Sequence, residues 1–436
     1  MCAMKSFMVT QRELYMEKLL QLADNDKTVF VVGVRRSGKS CLAAQLEAAL
    51  CERYANSNCV MRYNFETTDA LRMTAESIID SFQKKRIEGQ RYFVILDEAT
   101  HITNWKSAVN FFMGSSDCKL FLFSSNRRIL SEDLQAVQNK NYEIVEMLPL
   151  SLPEFILFQG FKEISKEETP LLKKQYLRFG ERTYTINEIY KCYITYGGLP
   201  ILKPEYLDIE RARVITDGSY GAIVTRDILE IGGGSGLTAV TDPVLLRSVI
   251  SIMAKSIGDN ISATWVGKQT AEDLQRPSAT KTIESYIRAT VNAHLFYIAE
   301  RCDVRSGQKL KTLAKFYIVD ASLHNYVTGV RAEDESRLLE NKVFFELLRR
   351  GYKVYNGKLG KEEIHLVAKD EHGRFYIQIA DELNEETQNT LIPPLRKIRD
   401  NHPKIVIVFK GESRITDDGI IILNALEFLM GHPLGR

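Results

Sequence analysis

The sequence predicts an α/β protein: a mainly parallel sheet covered on both faces, then a helical region, then a second α/β region at the C-terminal end. Three observations predict it. Short apolar runs recur across residues 28–150 with helical patterns between them, and strands alternating with helices pair in parallel. Those runs are almost wholly apolar, as strands buried on both faces are. After residue 335 a helix precedes a second series of short strand-like runs. A length of 436 residues allows two to four domains.

The elements follow in order. "QRELYMEKLLQLA" (11–23) repeats apolar positions at helical spacing. "TVFVVG" (28–33), "CVMRYNF" (59–65), "RYFVILDEA" (91–99), "KLFLFSS" (119–125) and "YEIVEMLPL" (142–150) read as strands. "SCLAAQLEAALCERY" and "DALRMTAESIIDSFQKK" read as helices between them. "SLPEFILF" opens another helix, with Ser151 as cap and Pro153 in its first turn. Residues 154–232 read as helices joined by polar loops, "YGGLP" (196–200) as a turn, and "IGGGSG" (231–236) as a linker. Residues 243–300 are helical, 262–300 fit a helix-turn-helix, and 306–320 complete a small β-wing. "YKVYN", "EIHLVAK", "RFYIQIA", "KIVIVFK" and "GIIILNA" are the closing strands. The expected domains are 1–153, 154–240, 241–332 and 333–436.

Composition narrows the class. The net charge of +2 argues against strong nonspecific nucleic-acid binding by the whole chain. No apolar run reaches the roughly 18 residues of a membrane span, and "MCAMKSFMVTQREL" lacks the apolar core of a signal peptide. The seven cysteines contain no C-x-x-C pair, which suits reduced thiols. A cytoplasmic location is therefore expected, with no membrane partner.

"GVRRSGKS" (33–40) fits G-x-x-x-x-G-K-[ST]. Its glycines, Gly33 and Gly38, let backbone N–H groups wrap a phosphate. Lys39 reaches the β and γ oxygens, and Ser40 offers its hydroxyl to Mg²⁺. The following helix brings its positive N-terminus to the same point. The cofactor-binding stretch is Gly33, Arg35, Arg36, Ser37, Gly38, Lys39, Ser40 and Cys41. Arg35 and Arg36 sit in the crown of the loop and are expected to turn toward solvent. Asp97 and Glu98 end an apolar strand, the Walker B arrangement. Asp97, with Ser40, is the expected metal site; Glu98 orients the attacking water. Ser125 and Asn126 end the next strand, where they either sense the γ-phosphate or cap the turn that follows. The expected catalytic set is Glu98, Lys39 and Asn126, with ATP and Mg²⁺ as cofactors.

These segments, with "LYMEKLLQL", "VILDEATHITNWKSAV", "FLFSSNRRILSEDL", "EMLPLSLPEFI", "YGGLP" and "LLENKVFFELLRRGYKVY", fall in an order that resembles a family of bacterial and archaeal AAA-type ATPases. The resemblance implies a P-loop NTPase core, a helical lid, a winged helix and a C-terminal domain of restriction-endonuclease-like ancestry. It matches Trp105 to a tryptophan common after the acidic pair, for which simple packing is the expected role. Relatives often carry an arginine where this chain has Lys140, so a trans-acting arginine finger is not expected there. A further copy of the chain is nonetheless a candidate partner.

Two expectations concern the C-terminal half. DNA, if bound, meets Lys281, Arg288, Arg305 and Lys309, with Thr280, Thr282, Ser285, Arg301 and Lys311 nearby; Glu284 opposes this. A nuclease of the implied ancestry needs clustered carboxylates and a lysine. Glu340 is one candidate ligand, but His365, Gln378 and Ala380 occupy the other positions. Glu363 lies on the same strand face as His365. Loss of cleavage is the expectation. The resulting reading is a slow Mg²⁺-dependent ATPase that switches an unidentified protein or DNA partner.

Overall fold

The computed structural model describes residues 12–54, 57–67, 73–130, 139–178, 182–202, 208–230 and 240–435. The expected linker at 231–236 and the chain start lie outside the described residues, as does 131–138 of the segment after Asn126. The chain divides into two units, Met1–Leu148 with Asn292–His294, and Pro149–Val291 with Leu295–Arg436.

In the first unit the apolar runs become β1 (Thr28–Val32), β2 (Val60–Asn64), β3 (Tyr92–Asp97), β4 (Cys118–Ser124) and β5 (Tyr142–Glu146). They form one sheet in the order β2-β3-β4-β1-β5, every pairing parallel. Successive side chains point to opposite faces, so each strand feeds two cores. Phe30, Val32, Val94, Leu96, Leu120 and Leu122 pack with Ile78, Phe82, Val109 and Phe112 of the helices Ala75–Lys85 and Trp105–Gly114. Val29, Val31, Phe93, Ile95, Phe121 and Phe123 pack with Tyr15, Leu19, Leu42 and Leu46 of the helices Glu13–Leu22 and Lys39–Arg53. Trp105 packs against the first core, as expected.

The order of strands positions the site. β4 lies between β1 and β3, and the register brings Val32 level with Ser124 and Asp97 level with Phe123. The carboxyl ends of three neighbouring strands therefore open on one crevice, where open α/β sheets hold ligands.

The second unit corrects two expectations. Residues 154–232 are not helical throughout: β6 (Phe161–Glu163), β7 (Gln175–Arg178) and β8 (Arg182–Thr185) form an antiparallel sheet. Tyr176 faces Tyr184 across it, and Phe161 meets Tyr184 edge-on at 5.1 Å. These aromatic pairs stabilise a sheet at a spacing the helix pattern hid. Helices flank it as expected. Ser151 caps Leu152–Phe158 in a box with Glu154, and Thr185 caps Ile186–Tyr196 with Glu188.

The second correction concerns the boundary at 332/333. The helices Ala263–Leu274 and Thr280–Asn292 precede a hairpin, β10 (Phe296–Asp303) and β11 (Lys309–Ile318), flanked by β9 (Asn260–Ile261). That hairpin shares a sheet with β12 (Lys353–Leu359), β13 (Glu362–Lys369), β14 (Arg374–Glu382), β15 (Lys404–Lys410), β16 (Arg414–Ile415) and β17 (Ile421–Asn424). The order is β16-β17-β15-β14-β13-β12-β10-β11-β9, joined by the parallel pairing of β10 with β12. Nothing local to either segment announces that pairing. No helix of the described residues is long and apolar enough to cross a membrane.

Candidate nucleotide site

The loop after β1 is shaped by close approach. A Cβ on Gly33 would lie 2.2 Å from the Met147 carbonyl oxygen, so only glycine fits. Arg36 and Gly38 take left-handed backbone (φ 69° and 98°), and Gly38 leads straight into the helix Lys39–Arg53. Arg12, buried, donates to the carbonyls of Ser37 and Leu148 at 3.4 and 3.0 Å and so fastens the loop from beneath. Nothing in the spacing of the first helix marks Arg12 for this.

Lys39 is 5% exposed and donates to the carbonyls of Gly33 and Val34, both at 3.0 Å. Its ammonium lies 3.9 Å from Glu98 Oε1. Glu98 is buried in left-handed backbone (φ 58°), a conformation that costs a non-glycine residue about 1–3 kcal/mol and is kept at functional sites. Its amide still extends the ladder, donating to the Phe123 carbonyl at 2.8 Å. Glu98 Oε2 accepts a hydrogen bond from the Ser125 hydroxyl at 3.2 Å.

Asp97 is fully buried. Neither carboxylate oxygen makes a well-formed hydrogen bond, although the Ser40 hydroxyl and Lys39 ammonium lie close. Burial raises its pKa, and those two neighbours only partly offset the rise. A buried carboxylate with unused oxygens beside a hydroxyl is the oxygen-rich donor set that Mg²⁺ takes. Asp97 and Ser40 can hold it there.

Two expected residues stand elsewhere. Arg35 does not face solvent: it is 7% exposed, ion-paired with Glu66, and donates to Ser125 Oγ at 3.4 Å. Two acceptors at the carboxyl ends of β2 and β4 outweigh hydration there. Asn126 is buried, and its Oδ1 accepts from the Arg128 amide at 2.9 Å, capping the turn Arg127–Ile129. Ser125, beside it, donates to Glu98. Arg36 and Cys41 are exposed, and Lys140 is exposed in left-handed backbone (φ 52°). Arg127 pairs with Glu146, whose Oε1 lies 3.4 Å from Nδ1 of the buried His294. Burial would raise the Glu146 pKa, but His294 and Arg127 hold it down at about 2.

Residues 25–156 match the model of a family described as an AAA domain, and residues 187–334 match a domain of unknown function. An uncharacterized protein of Haemophilus influenzae is 30% identical over 96% of this chain and 98% of its own length. This chain belongs to the AAA family of P-loop proteins. An uncharacterized protein of Methanocaldococcus jannaschii is 22% identical to this AAA protein, over 85% of this chain and 78% of its own. Among solved structures, the Aeropyrum pernix ORC1 protein in complex with DNA is 10% identical, covers 73% of this chain and 92% of its own, and has a TM-score of 0.30. AMPPCP-bound DnaA from Aquifex aeolicus is 13% identical over 64% and 86%, with a TM-score of 0.25.

The second unit of the AAA protein holds another polar cluster. Lys315 on β11 is buried between two carboxylates, with Nζ 3.0 Å from Glu340 Oε1 and 3.1 Å from Glu363 Oε1. Tyr317 donates to Glu340 at 2.6 Å, and Asn260 to Glu363 at 2.7 Å. Burial favours neutral lysine, yet the two carboxylates raise the Lys315 pKa above its ordinary value. Sequence reasoning missed Lys315; the available signal was its shared strand face with Tyr317, two residues on. His365 and Gln378 have structural work here. The Ile379 amide donates to His365 Nδ1 at 3.0 Å, and the His365 amide donates to Gln378 Oε1 at 3.1 Å. They replace ladder bonds beyond the regular pairing of β13 with β14, which ends at Leu366 and Ile377. Glu340, His365 and Ala380 line one cleft of about 470 Å³. Among the described residues no group of three or more His, Cys, Asp or Glu side chains is placed to hold a metal.

On the helix Thr280–Asn292, Lys281 and Arg288 are exposed, as is Glu284 between them. Arg305 and Lys309 are exposed at the β10–β11 turn, and Lys309 is paired with Glu300.

Proposed function

We propose that this AAA protein binds ATP and hydrolyses it slowly, with Mg²⁺, and uses the nucleotide state to switch a partner. The observation that carries the reading is the convergence of Lys39, Ser40, Asp97 and Glu98 at neighbouring strand ends, with the Asp97 oxygens buried and unused. Lys39 moves from the carbonyls of Gly33 and Val34 to phosphate oxygens, exchanging neutral acceptors for charged ones. Asp97 and Ser40 would hold Mg²⁺, which would supply charge neutralisation on the phosphate oxygens. Glu98 takes a proton from the water that attacks the γ-phosphorus; the bond to the β-bridging oxygen breaks, giving ADP and inorganic phosphate.

Contacts made only while the γ-phosphate is present are what a switch requires. Lys39→Ala is expected to abolish ATP binding. Glu98→Gln is expected to bind ATP and lose turnover. Isothermal titration and a phosphate-release assay check the pair; turnover by Glu98→Gln at the wild-type rate removes Glu98 from this role.

The second reading is ATP-gated DNA binding, favoured by the exposed Lys281 and Arg288 on one helix. It requires binding that weakens with salt and changes with ATP. Cleavage of DNA is not part of either reading: the Lys315 ammonium engages both Glu340 and Glu363, and an ammonium there competes with a divalent ion for the same oxygens.

A further inference from the structure

Arg35 lies in the loop between Gly33 and Gly38. It is buried, and it reaches two different strand ends. One guanidinium nitrogen pairs with Glu66, just past β2. The other donates to Ser125 Oγ, just past β4. A hydroxyl carries one proton. With its oxygen accepting from Arg35, Ser125 directs that proton to Glu98 Oε2. The result is a directional chain, Glu66–Arg35–Ser125–Glu98, that ends on the carboxylate facing Lys39.

We propose that Arg35 is a positioning residue for Glu98, acting through Ser125. The inference rests on the ATPase reading given above. Glu98 is held on both oxygens in this structure: Oε1 lies toward Lys39 and Oε2 is bound by Ser125. When Lys39 turns to phosphate oxygens, Oε1 loses its cation and is left open toward the attacking water. Oε2 stays tethered, because Arg35 and Ser125 do not depend on Lys39. The carboxylate is then free to accept a proton on one oxygen while its orientation is fixed by the other. Orientation at this level is worth large factors in rate, since a small misplacement of a reacting group slows the step strongly.

The competing explanation is that Arg35 only pins the loop to Glu66. The two differ in what they move. A loop pin changes nucleotide affinity; a positioning residue changes the chemical step and leaves affinity in place. The experiment is made on the full chain, comparing wild type with Arg35→Ala, Arg35→Lys, Ser125→Ala and the Arg35→Ala/Ser125→Ala double variant. Nucleotide affinity is read with a fluorescent ATP analogue, and hydrolysis is followed under single-turnover conditions.

Arg35→Ala and Ser125→Ala are each expected to slow hydrolysis about 10- to 100-fold, the worth of a hydrogen bond to a charged group, with affinity changed by less than about threefold. The double variant is expected to be no slower than the slower single one. Arg35→Lys is expected to recover part of the rate, since an ammonium reaches one acceptor well but lacks the fork for two.

Hydrolysis by Arg35→Ala within about twofold of wild type overturns the inference. So does a loss of affinity as large as the loss of rate, no recovery of rate by Arg35→Lys over Arg35→Ala, or losses that multiply in the double variant. Should Arg35→Ala fail to fold, Arg35→Lys and Ser125→Ala carry the same criteria. A wild-type chain that binds nucleotide without hydrolysing it overturns the ATPase reading and this inference with it; intact wild-type hydrolysis with indifferent variants overturns this inference alone.

Discussion

Asp97 sits in the core of the nucleotide site with both carboxylate oxygens lacking a well-formed hydrogen bond. Burial raises its pKa. A carboxylate raised in the folded state destabilises the fold when ionised, and that penalty fades as pH falls through the folded value. Asp97→Asn is therefore expected to raise the melting temperature of the nucleotide-free protein at pH 7, by about 1 kcal/mol in stability, while removing Mg²⁺-dependent hydrolysis. Melts at pH 7 and at successively lower pH down to the ordinary carboxylate range check the sign: the gap between variant and wild type narrows as pH falls. The same residue shows what sequence can carry. The acid pair after an apolar strand marks Asp97 and Glu98 as candidates. That Glu98 meets Ser125, and that Arg35 turns inward, depends on strand ends far apart in sequence.

At the scale of elements, the turn "YGGLP" was legible, but its exact requirement was not. Gly197 is left-handed (φ +77°), and a Cβ there would lie 1.8 Å from Asp320 Oδ1. Asp320 also accepts from the Gly198 amide at 2.6 Å and caps the helix Ala321–Thr328 through the Ser322 amide. Gly197→Ala is expected to cost about 3 kcal/mol or more. Gly218→Ala is the control: it lies in the helix Ile209–Ala222 with nothing within 4 Å, and is expected to stabilise by about 0.5–1 kcal/mol. Denaturant unfolding of both variants makes the comparison. Helix and strand runs were readable wherever one periodicity dominated. β6, β7 and β8 were hidden because their short polar strands are stabilised by cross-strand aromatic contacts, not by a local apolar pattern.

At the scale of the molecule, three histidines are held below their ordinary pKa by burial. They are His294, His324 and His365. The unfolded chain takes up protons near its ordinary histidine value, about 6.5, that the folded chain refuses. Stability contributed this way is complete above that value and is lost as pH falls below it. Unfolding followed by circular dichroism is expected to show a melting temperature that declines from pH 7 to pH 5, before most carboxylates titrate. A flat profile over that range would mean that these rings accept protons without cost. Lys315 shows a second whole-molecule effect: one lysine on β11 fastens the hairpin to Glu340 of a helix and Glu363 of β13.

The sequence by itself determined the α/β class, the five apolar strands of the first unit, the phosphate loop and the acid pair. These follow from local rules: apolar content, period, glycine placement and charge at a strand end. The tertiary structure alone decided the strand order that gathers three carboxyl ends, the inward turn of Arg35, the pairing of β10 with β12, and the lysine between Glu340 and Glu363. Each of those joins residues tens of positions apart. Their energy comes from burial and partner geometry that exist only once the chain has folded.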